Sequence, residues 1–436
     1  MTLIAMATKG RGALSVAAKG KGHLNLVRRA EDIGARYGFG PRRMDRRLAA
    51  IHATLERFGY EATLPVTAAI VERNPSVIAR YSELGIEFAA HGYYHVDHTR
   101  LSEREQSDQL TRARRVLGRN GLRVVGFRAP YLRWNRATLG AARDSGFLYD
   151  SSRAMHWPID PVLQCATYRR GLTFYGSVPA TDNPVLPRTV EGIVQIPYCL
   201  PDDEAVVDRL RLTTPKAIAE LWLAMQRACH ERGELFTLGL HPERIEMCLP
   251  GFVAVLEAAR AARPRVWVAR LEEIARWWRA RAAATVAVAD RGPSELHISI
   301  RGPKGLTVLA RNLEVSGGEP WVDDYVFVRR TEFDVRAKCR PFVGVHPSSP
   351  TSLIAVLREE GFIIEVAESA SDYPFFVDDK HFGRGGERAL LAELESGEFP
   401  ILRLGRWPDA ARSALSVTGD VDALTIWDYA FRLLGR

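Results

Sequence analysis

The sequence of 436 residues predicts an α/β fold, a distorted (β/α) barrel into which a smaller α/β domain is inserted. Four clusters of polar residues each follow a short apolar stretch of strand length, and loops that follow the strands of such a barrel meet at one face. From residue 295 the pattern changes to alternating apolar and polar residues, which predicts hairpins. With 46% hydrophobic residues, the chain can bury two or three domain cores.

The first polar cluster contains two histidines, His91 and His95, directly after the apolar residues 86–90. In a helical turn, side chains four positions apart share one face, and neutral imidazole is a common ligand of zinc, cobalt, nickel or iron. The pair alone is also compatible with two histidines that are solvated or packed in a core. The neighbouring clusters favour a metal site.

Three further clusters follow predicted strands, at residues 126–131, 149–152 and 238–243. An acidic segment, residues 201–204, follows the apolar residues 193–197. This segment could contact a substrate hydroxyl or amine at the same rim, or it could form an ordinary solvated turn.

In order and spacing, residues 91–95, residues 128–131 and the pair Leu240-His241 resemble the second, third and fifth motifs of the polysaccharide deacetylase (NodB-homology) family of carbohydrate esterases. In that family the first motif, a strand that ends in two acids, precedes all the others. In this chain the corresponding place, residues 24–37, has apolar residues at helical spacing, which predicts a helix instead.

The missing first motif resembles a segment near the C-terminus, where Trp407-Pro408 precedes an apolar stretch that ends in Asp420-Val-Asp422. The first strand of a closed barrel neighbours the last one, so moving it to the end of the chain changes only the position of the chain break. We therefore expect a circular permutation. The alternative is that both aspartates are turn or capping residues before the helix predicted for residues 423–434.

The resemblance implies a ligand set for a divalent metal ion, namely His91, His95 and Asp422. Zinc is the expected ion, with cobalt, nickel or iron as alternatives. A set of two imidazoles and one carboxylate leaves coordination positions open for a water and a substrate oxygen, as in metal-dependent hydrolases.

The resemblance also implies the acid and base. Asp420 would take a proton from the attacking water, and His241 would donate a proton to the leaving amine. Arg128 would pair with Asp420 and keep it ionised, unless it forms only a surface ion pair.

Other residues near these motifs have weaker signals. Asp150 matches the family's fourth motif, in which an acid tunes neighbouring polar groups, although Asp-Ser-Ser is also ordinary turn chemistry. Pro130 and Tyr131 would contact the substrate, with a backbone amide near Tyr131 holding the oxyanion. Asp97 and His98 could join the surroundings of the metal or simply lead into the next helix.

These residues together predict a metal-dependent hydrolase of non-peptide C–N bonds. The reaction we expect first is N-deacetylation of an N-acetyl amino sugar or glycoconjugate. Two alternatives stay open: the same chemistry on a non-sugar amide, and a catalytically silent carbohydrate-binding barrel. A silent module would not need an Asp-x-Asp and a Leu-His at matching positions, which favours the enzyme.

We divide the chain into four predicted parts. These are a basic segment (1–22), the main part of the barrel (23–284), a small α/β domain of unassigned role (285–400), and a strand and helix that complete the barrel (401–436). Within the small domain, residues 296–300 and 306–310 on either side of a glycine-containing turn predict a hairpin.

The composition also indicates in which cellular compartment the protein acts and which kinds of partner it binds. Five scattered cysteines without C-x-x-C spacing predict neither a disulfide framework nor a thiolate zinc site. Residues 1–22 lack the apolar core of a signal peptide and no run reaches transmembrane length, so we expect a cytoplasmic protein. The net charge is +8, but the arginines are dispersed, which disfavours nucleic acid and leaves a carbohydrate or glycoconjugate as the expected partner.

Overall fold

The computed structural model describes residue 34 and residues 36–435. The predicted basic segment 1–22 and most of the helix predicted for residues 24–37 lie outside the described residues.

The strands of the described residues follow one another in this order: β1 (Ala62–Val66), β2 (Glu87–Ala90), β3 (Gly126–Phe127), β4 (Tyr149–His156), β5 (Val178–Pro179), β6 (Arg188–Val190), β7 (Ile193–Leu200), β8 (Leu235–Gly239), β9 (Val266–Val268), β10 (Thr285–Gly292), β11 (Glu295–Arg301), β12 (Val308–Arg311), β13 (Glu314–Val315), β14 (Glu319–Pro320), β15 (Tyr325–Val328), β16 (Glu332–Arg336), β17 (Val343–Val345), β18 (Ile364–Val366), β19 (Phe375–Val377), β20 (Ile401–Leu404) and β21 (Ser413–Thr418).

The α-helices of the described residues are α1 (Arg42–Phe58), α2 (Ala68–Arg73), α3 (Pro75–Glu83), α4 (Glu103–Arg119), α5 (Arg136–Asp144), α6 (Ala166–Tyr175), α7 (Pro215–Glu231), α8 (Ile245–Ala261), α9 (Leu271–Ala282), α10 (Thr351–Glu359), α11 (Glu387–Ser396) and α12 (Ile426–Leu433). None of the helices in this described part of the chain is long and apolar enough to cross a membrane.

The main sheet has ten strands in the order β6-β7-β4-β3-β2-β1-β21-β8, with β5 also paired to β4 and β9 to β21. All its pairs are parallel except β6 with β7. Strand β21 lies between β1 and β8, with Thr418 opposite Thr63 on one side and Gly239 on the other. The last strand of the chain therefore occupies the interior of the sheet.

The prediction of an α/β fold with a parallel sheet is confirmed, but the barrel is not, because the described strands close no sheet. No backbone ladder joins β7 to β8, and the sheet stays open between them. The side-chain hydroxyl of Thr237 bridges this seam: it accepts from the Cys199 amide (2.8 Å) and donates to the Pro197 carbonyl (3.1 Å). Since proline has no amide hydrogen, β7 also lacks a donor that a ladder would use there.

Helices cover the sheet because they present apolar stripes at helical spacing. In α1 the residues Met44, Leu48, Ile51 and Leu55 recur every three or four positions, and each is at most 2% exposed. Full burial of each such side chain contributes roughly 1.5–3 kcal/mol relative to exposure. Strand β7 is buried at all eight positions, as expected for a strand covered on both faces.

Residues 285–404 form three smaller sheets. Two are antiparallel, in the orders β10-β11-β16-β13 and β14-β15-β12-β20, and one is parallel, β18-β17-β19. The hairpin predicted from residues 296–300 and 306–310 is wrong, because β11 pairs with β10 across a tight turn at residues 292–295. The predicted limit at residue 400 falls just before β20, which pairs with β12, so the chain rejoins the main sheet only at β21.

Candidate functional site

The candidate residues follow the carboxyl ends of neighbouring parallel strands. His91 follows β2, Arg128 follows β3, His241 lies just beyond β8, and Asp420 and Asp422 lie just beyond β21. Parallel strands end at the same edge of a sheet, so these side chains come together although the chain separates them by up to about three hundred residues.

Two imidazoles and one carboxylate face each other at this edge. Oδ1 of Asp422 lies 3.3 Å from Nε2 of His95 and 3.6 Å from Nε2 of His91. One ligand atom from each of the three residues falls within 4.8 Å of the others, and all three residues are buried. The distances leave room for a cation between them.

Two ligand atoms of this group are unpaired, and a hydrogen bond orients one of them. Nδ1 of His91 lies 2.9 Å from the carbonyl oxygen of Arg128, and a hydrogen bond there leaves Nε2 as the lone-pair nitrogen. Among the described residues, Nε2 of His91 and Oδ1 of Asp422 have no hydrogen-bond partner although both are buried. Because buried polar atoms are costly to leave unpaired, this set fits a metal ion.

The segment that carries both histidines is not the helical turn that their spacing suggested. Residues 91–95 form an irregular turn in which Gly92 has φ 80°. A Cβ atom on Gly92 would lie 3.0 Å from the Tyr94 carbonyl oxygen and 3.3 Å from Nε2 of His98. Glycine is therefore required between the histidines for conformational and steric reasons.

Both imidazoles are neutral at pH 7. Burial lowers the pKa of His91 and, helped by the positive charge of Arg432, lowers that of His95 to about 4. A neutral imidazole keeps the lone pair with which it binds a metal.

Asp420 is held by Arg128, which is completely buried. The guanidinium donates to Asp420 Oδ1 (2.8 Å), to Thr418 Oγ1 (2.9 Å) and to Ser151 Oγ (3.0 Å). Burial acts against the charged carboxylate, but the imidazole of His91 and the guanidinium of Arg128 beside it outweigh burial and lower the pKa of Asp420. The other oxygen, Oδ2, faces Nε2 of His91 (3.6 Å) and Nε2 of His241 (3.9 Å).

His241 forms a tight pair with Asp203, a residue that the sequence indicated only as part of an acidic loop. Nδ1 of His241 lies 2.6 Å from Asp203 Oδ1. Burial opposes the charged imidazolium, but Asp203 outweighs it and raises the pKa of His241 to about 10. The sequence feature that could have indicated Asp203 is its position in the loop that follows the buried strand β7.

A second group, Asp202, Asp203 and His241, also has ligand atoms within 4.8 Å. Its carboxylate oxygens are already occupied: Asp202 accepts from Tyr198 Oη (2.8 Å) and the Ala205 amide (2.9 Å), and Asp203 accepts twice from His241. The carboxylate oxygens of this group are therefore already hydrogen-bonded, whereas Nε2 of His91 and Oδ1 of Asp422 are not.

Asp150 is fully buried on β4, opposite Phe127 of β3. Its carboxylate accepts from Ser152 Oγ (2.5 Å) and from Gln195 Nε2 (3.1 Å), and Ser152 Oγ accepts from the Ala129 amide (2.7 Å). Asp150 thus contacts neighbouring polar groups, as predicted for an acid at this position, while the acid that pairs with His241 is Asp203.

Pro130 and Tyr131 border the imidazoles. Pro130 is buried, and the ring of Tyr131 lies 4.4 Å from that of His95. Tyr131 and Leu132 have φ values of 60° and 56°, which are uncommon for residues other than glycine. Strained backbone of this kind persists only where the surroundings hold it, and functional sites are where it concentrates.

Asp97 and His98 have separate roles. Asp97 accepts from the Thr99 amide (3.0 Å) and pairs with Arg133 (3.2 Å), so its carboxylate already has partners. His98 is fully buried against Phe127, with ring centroids 5.4 Å apart, and neither of its nitrogens has a hydrogen-bond partner within the described ranges.

Comparisons with known proteins relate part of the chain to one family. Residues 37–149 match the family described as polysaccharide deacetylase. The chain is 41% identical over 73 residues to the "Peptidoglycan deacetylase-like protein FGM2" of Gibberella zeae, a match that covers 16% of this chain and 22% of that protein. The matched part thus spans about a fifth of the curated relative.

Two solved structures are also similar to the chain. Puue allantoinase is 22% identical, with coverage of 54% of this chain and 72% of that one and a TM-score of 0.43. A probable polysaccharide deacetylase from Pseudomonas aeruginosa PAO1 is 22% identical, with coverage of 55% and 74% and a TM-score of 0.44.

Proposed function

We propose that this chain, whose residues 37–149 match the polysaccharide deacetylase family, is a metal-dependent hydrolase that removes the acetyl group from an N-acetyl amino sugar or glycoconjugate. The observation that carries this proposal is the convergence of the His91, His95 and Asp422 group with Asp420 and His241 at one edge of the sheet. The first three bring metal ligands, and the last two bring a base and an acid.

His91, His95 and Asp422 would hold the ion. Zinc suits two imidazoles and one carboxylate, while cobalt, nickel and iron accept the same donors. When bound, the ion would polarise the acyl oxygen and increase the acidity of water. The unpaired Nε2 of His91 and Oδ1 of Asp422 support this assignment.

Asp420 would act as the general base. Arg128 occupies its Oδ1, so that Oδ2 remains to accept a proton from the attacking water. A carboxylate with a lowered pKa is ionised at neutral pH and is therefore ready to accept that proton.

His241 would act as the general acid toward the leaving amine. Its raised pKa keeps it protonated at neutral pH, and Asp203 fixes the ring so that Nε2 faces the same space as Asp420 Oδ2, 3.9 Å away. A backbone amide near Tyr131 would stabilise the oxyanion.

We also propose that the chain is a circular permutation of the family order. The family match ends at residue 149, whereas Asp420 and Asp422 follow a strand near the C-terminus. The parallel pairing of β21 with β1 supports the proposal, because a displaced first strand would need that neighbour.

The test combines metal content with acetate release. Wild type should bind about one ion per chain and release acetate from acetamido sugars, and Asp422→Ala should lose both. Asp144→Ala removes an aspartate whose side chain is 64% exposed, and it should behave like wild type. A wild-type protein that binds no metal on reconstitution would contradict the proposal and favour a silent binding protein.

A further inference from the structure

The carboxylate of Asp422 is shared between the ligand group and an arginine on the last helix. Nη1 of Arg432 lies 2.6 Å from Oδ2 of Asp422, while Oδ1 faces the imidazoles of His91 and His95 at 3.6 and 3.3 Å. We infer that Arg432 is a positioning residue, an inference that rests on the proposed metal site. Arg432 occupies Oδ2 of Asp422 and leaves only Oδ1 for the ion. The metal affinity therefore depends on the position of α12.

The Arg432–Asp422 pair is not an ordinary surface ion pair. The side chains are 16% and 10% exposed, so water screens their attraction little. A hydrogen bond between a guanidinium and a carboxylate is short and charge-assisted, and it holds the carboxylate in one orientation. A carboxylate that offers one oxygen uses one coordination position of an ion, which leaves another position for substrate or water.

Aromatic rings hold the guanidinium of Arg432 in place. Its central carbon lies 5.5 Å from the ring centre of Tyr131 and 6.0 Å from that of Tyr429, within reach of cation–π attraction. Tyr131 also contacts the ring of His95, so the arginine, the tyrosine and the metal-ligand group form one packed unit.

The position of α12 is fixed at its other end. Thr425 and Asp428 form a capping box, and Asp428 also accepts from Arg73 Nε (2.6 Å) and Asn74 Nδ2 (3.3 Å). Arg73 and Asn74 lie where α2 ends and α3 begins. The helix therefore connects this junction rigidly to Asp422 through Arg432.

The experiment measures Co²⁺ binding to the metal-free full-length protein, together with the visible absorption of the Co²⁺ form. Arg432→Gln should bind Co²⁺ about 10- to 100-fold more weakly, the range found when partners of metal ligands are removed. Its spectrum should change, because a freed Asp422 can offer both oxygens. Arg432→Lys, which keeps a positive donor, should recover most of the affinity. Arg336→Gln changes an arginine that is 75% exposed and is the control.

A second variant tests the role of the helix at a residue that does not belong to the ligand group. Asp428→Asn weakens the contacts of α12 with Arg73 and Asn74 and should weaken Co²⁺ binding in the same direction; it decides the matter if Arg432→Gln does not fold. Wild-type affinity and spectrum in the folded Arg432→Gln protein would overturn the inference. A wild-type protein that binds no Co²⁺ would overturn the proposed function itself. That result differs from the one that overturns only the role of Arg432.

Discussion

The imidazole of His241 and the carboxylate of Asp203 are joined at two points: Nδ1 lies 2.6 Å from Oδ1, and the His241 amide donates to Oδ2 at 2.5 Å. The second bond ties the backbone after β8 to the loop after β7. The same pair therefore fixes both the charge and the orientation of the imidazole, across the seam where the sheet is open.

Asp203→Asn should move the alkaline limit of activity to lower pH. In the wild type His241 stays protonated until the pH approaches about 10, and the variant loses the negative charge that raises this pKa. A pH profile of kcat/KM for acetate release checks this, with Asp144→Asn as control. An unchanged alkaline limb would contradict the assignment of His241 as the acid.

The same pair should stabilise the fold in a pH-dependent way. The folded pKa of His241 is raised to about 10, above an unfolded value of about 6.5. Its contribution is therefore fully present below about pH 6.5 and is lost as the pH rises toward 10. Urea unfolding of wild type and Asp203→Asn should show a stability difference that shrinks over this range, and a difference that grows would refute the assignment.

Asp420→Asn should separate metal binding from turnover. The ligand atoms of His91, His95 and Asp422 stay in place, so the metal content should equal that of the wild type. Loss of a general base typically lowers the rate by about 10²- to 10⁴-fold. Elemental analysis together with acetate release measures both quantities, and a variant that retains wild-type turnover would remove Asp420 from the mechanism.

Gly92→Ala should destabilise the fold. A non-glycine residue in left-handed conformation costs about 1–2 kcal/mol, and the added Cβ would press on the Tyr94 carbonyl. Gly118→Ala is the matched control, because Gly118 lies within α4 with no atom within 4 Å of the new Cβ, and it should gain about 0.5–1 kcal/mol. Urea unfolding compares the two variants, and equal free energies of unfolding would count against a left-handed conformation at Gly92.

Thr237→Val should weaken the seam between β7 and β8. The variant keeps the shape of the side chain but leaves the buried Cys199 amide without its acceptor, which costs about 1–3 kcal/mol. Thr237→Ser retains the hydroxyl and should lose less. The free energy of unfolding in urea measures both, and a Val variant as stable as wild type would show that the bridge contributes nothing.

The sequence alone indicated the α/β fold class, the resemblance to polysaccharide deacetylases and the local segments that bring the candidate residues to strand ends. Each of these depends on neighbouring residues: an apolar stretch predicts a strand, and a polar group directly after it, such as His91 or Asp420, is thereby placed at the strand's end. The permuted position of the acids could be proposed because the motif absent before residue 61 has a counterpart after residue 407.

The tertiary structure decided the contacts between distant segments. The pairing of Asp203 with His241, the pairing of Arg432 with Asp422 and the bridge from Thr237 to β7 each join residues from different elements. Sequence periodicity determines which side of a strand or helix is buried, but the partner a side chain meets depends on sheet order, register and helix position. Those are settled only when the whole core packs.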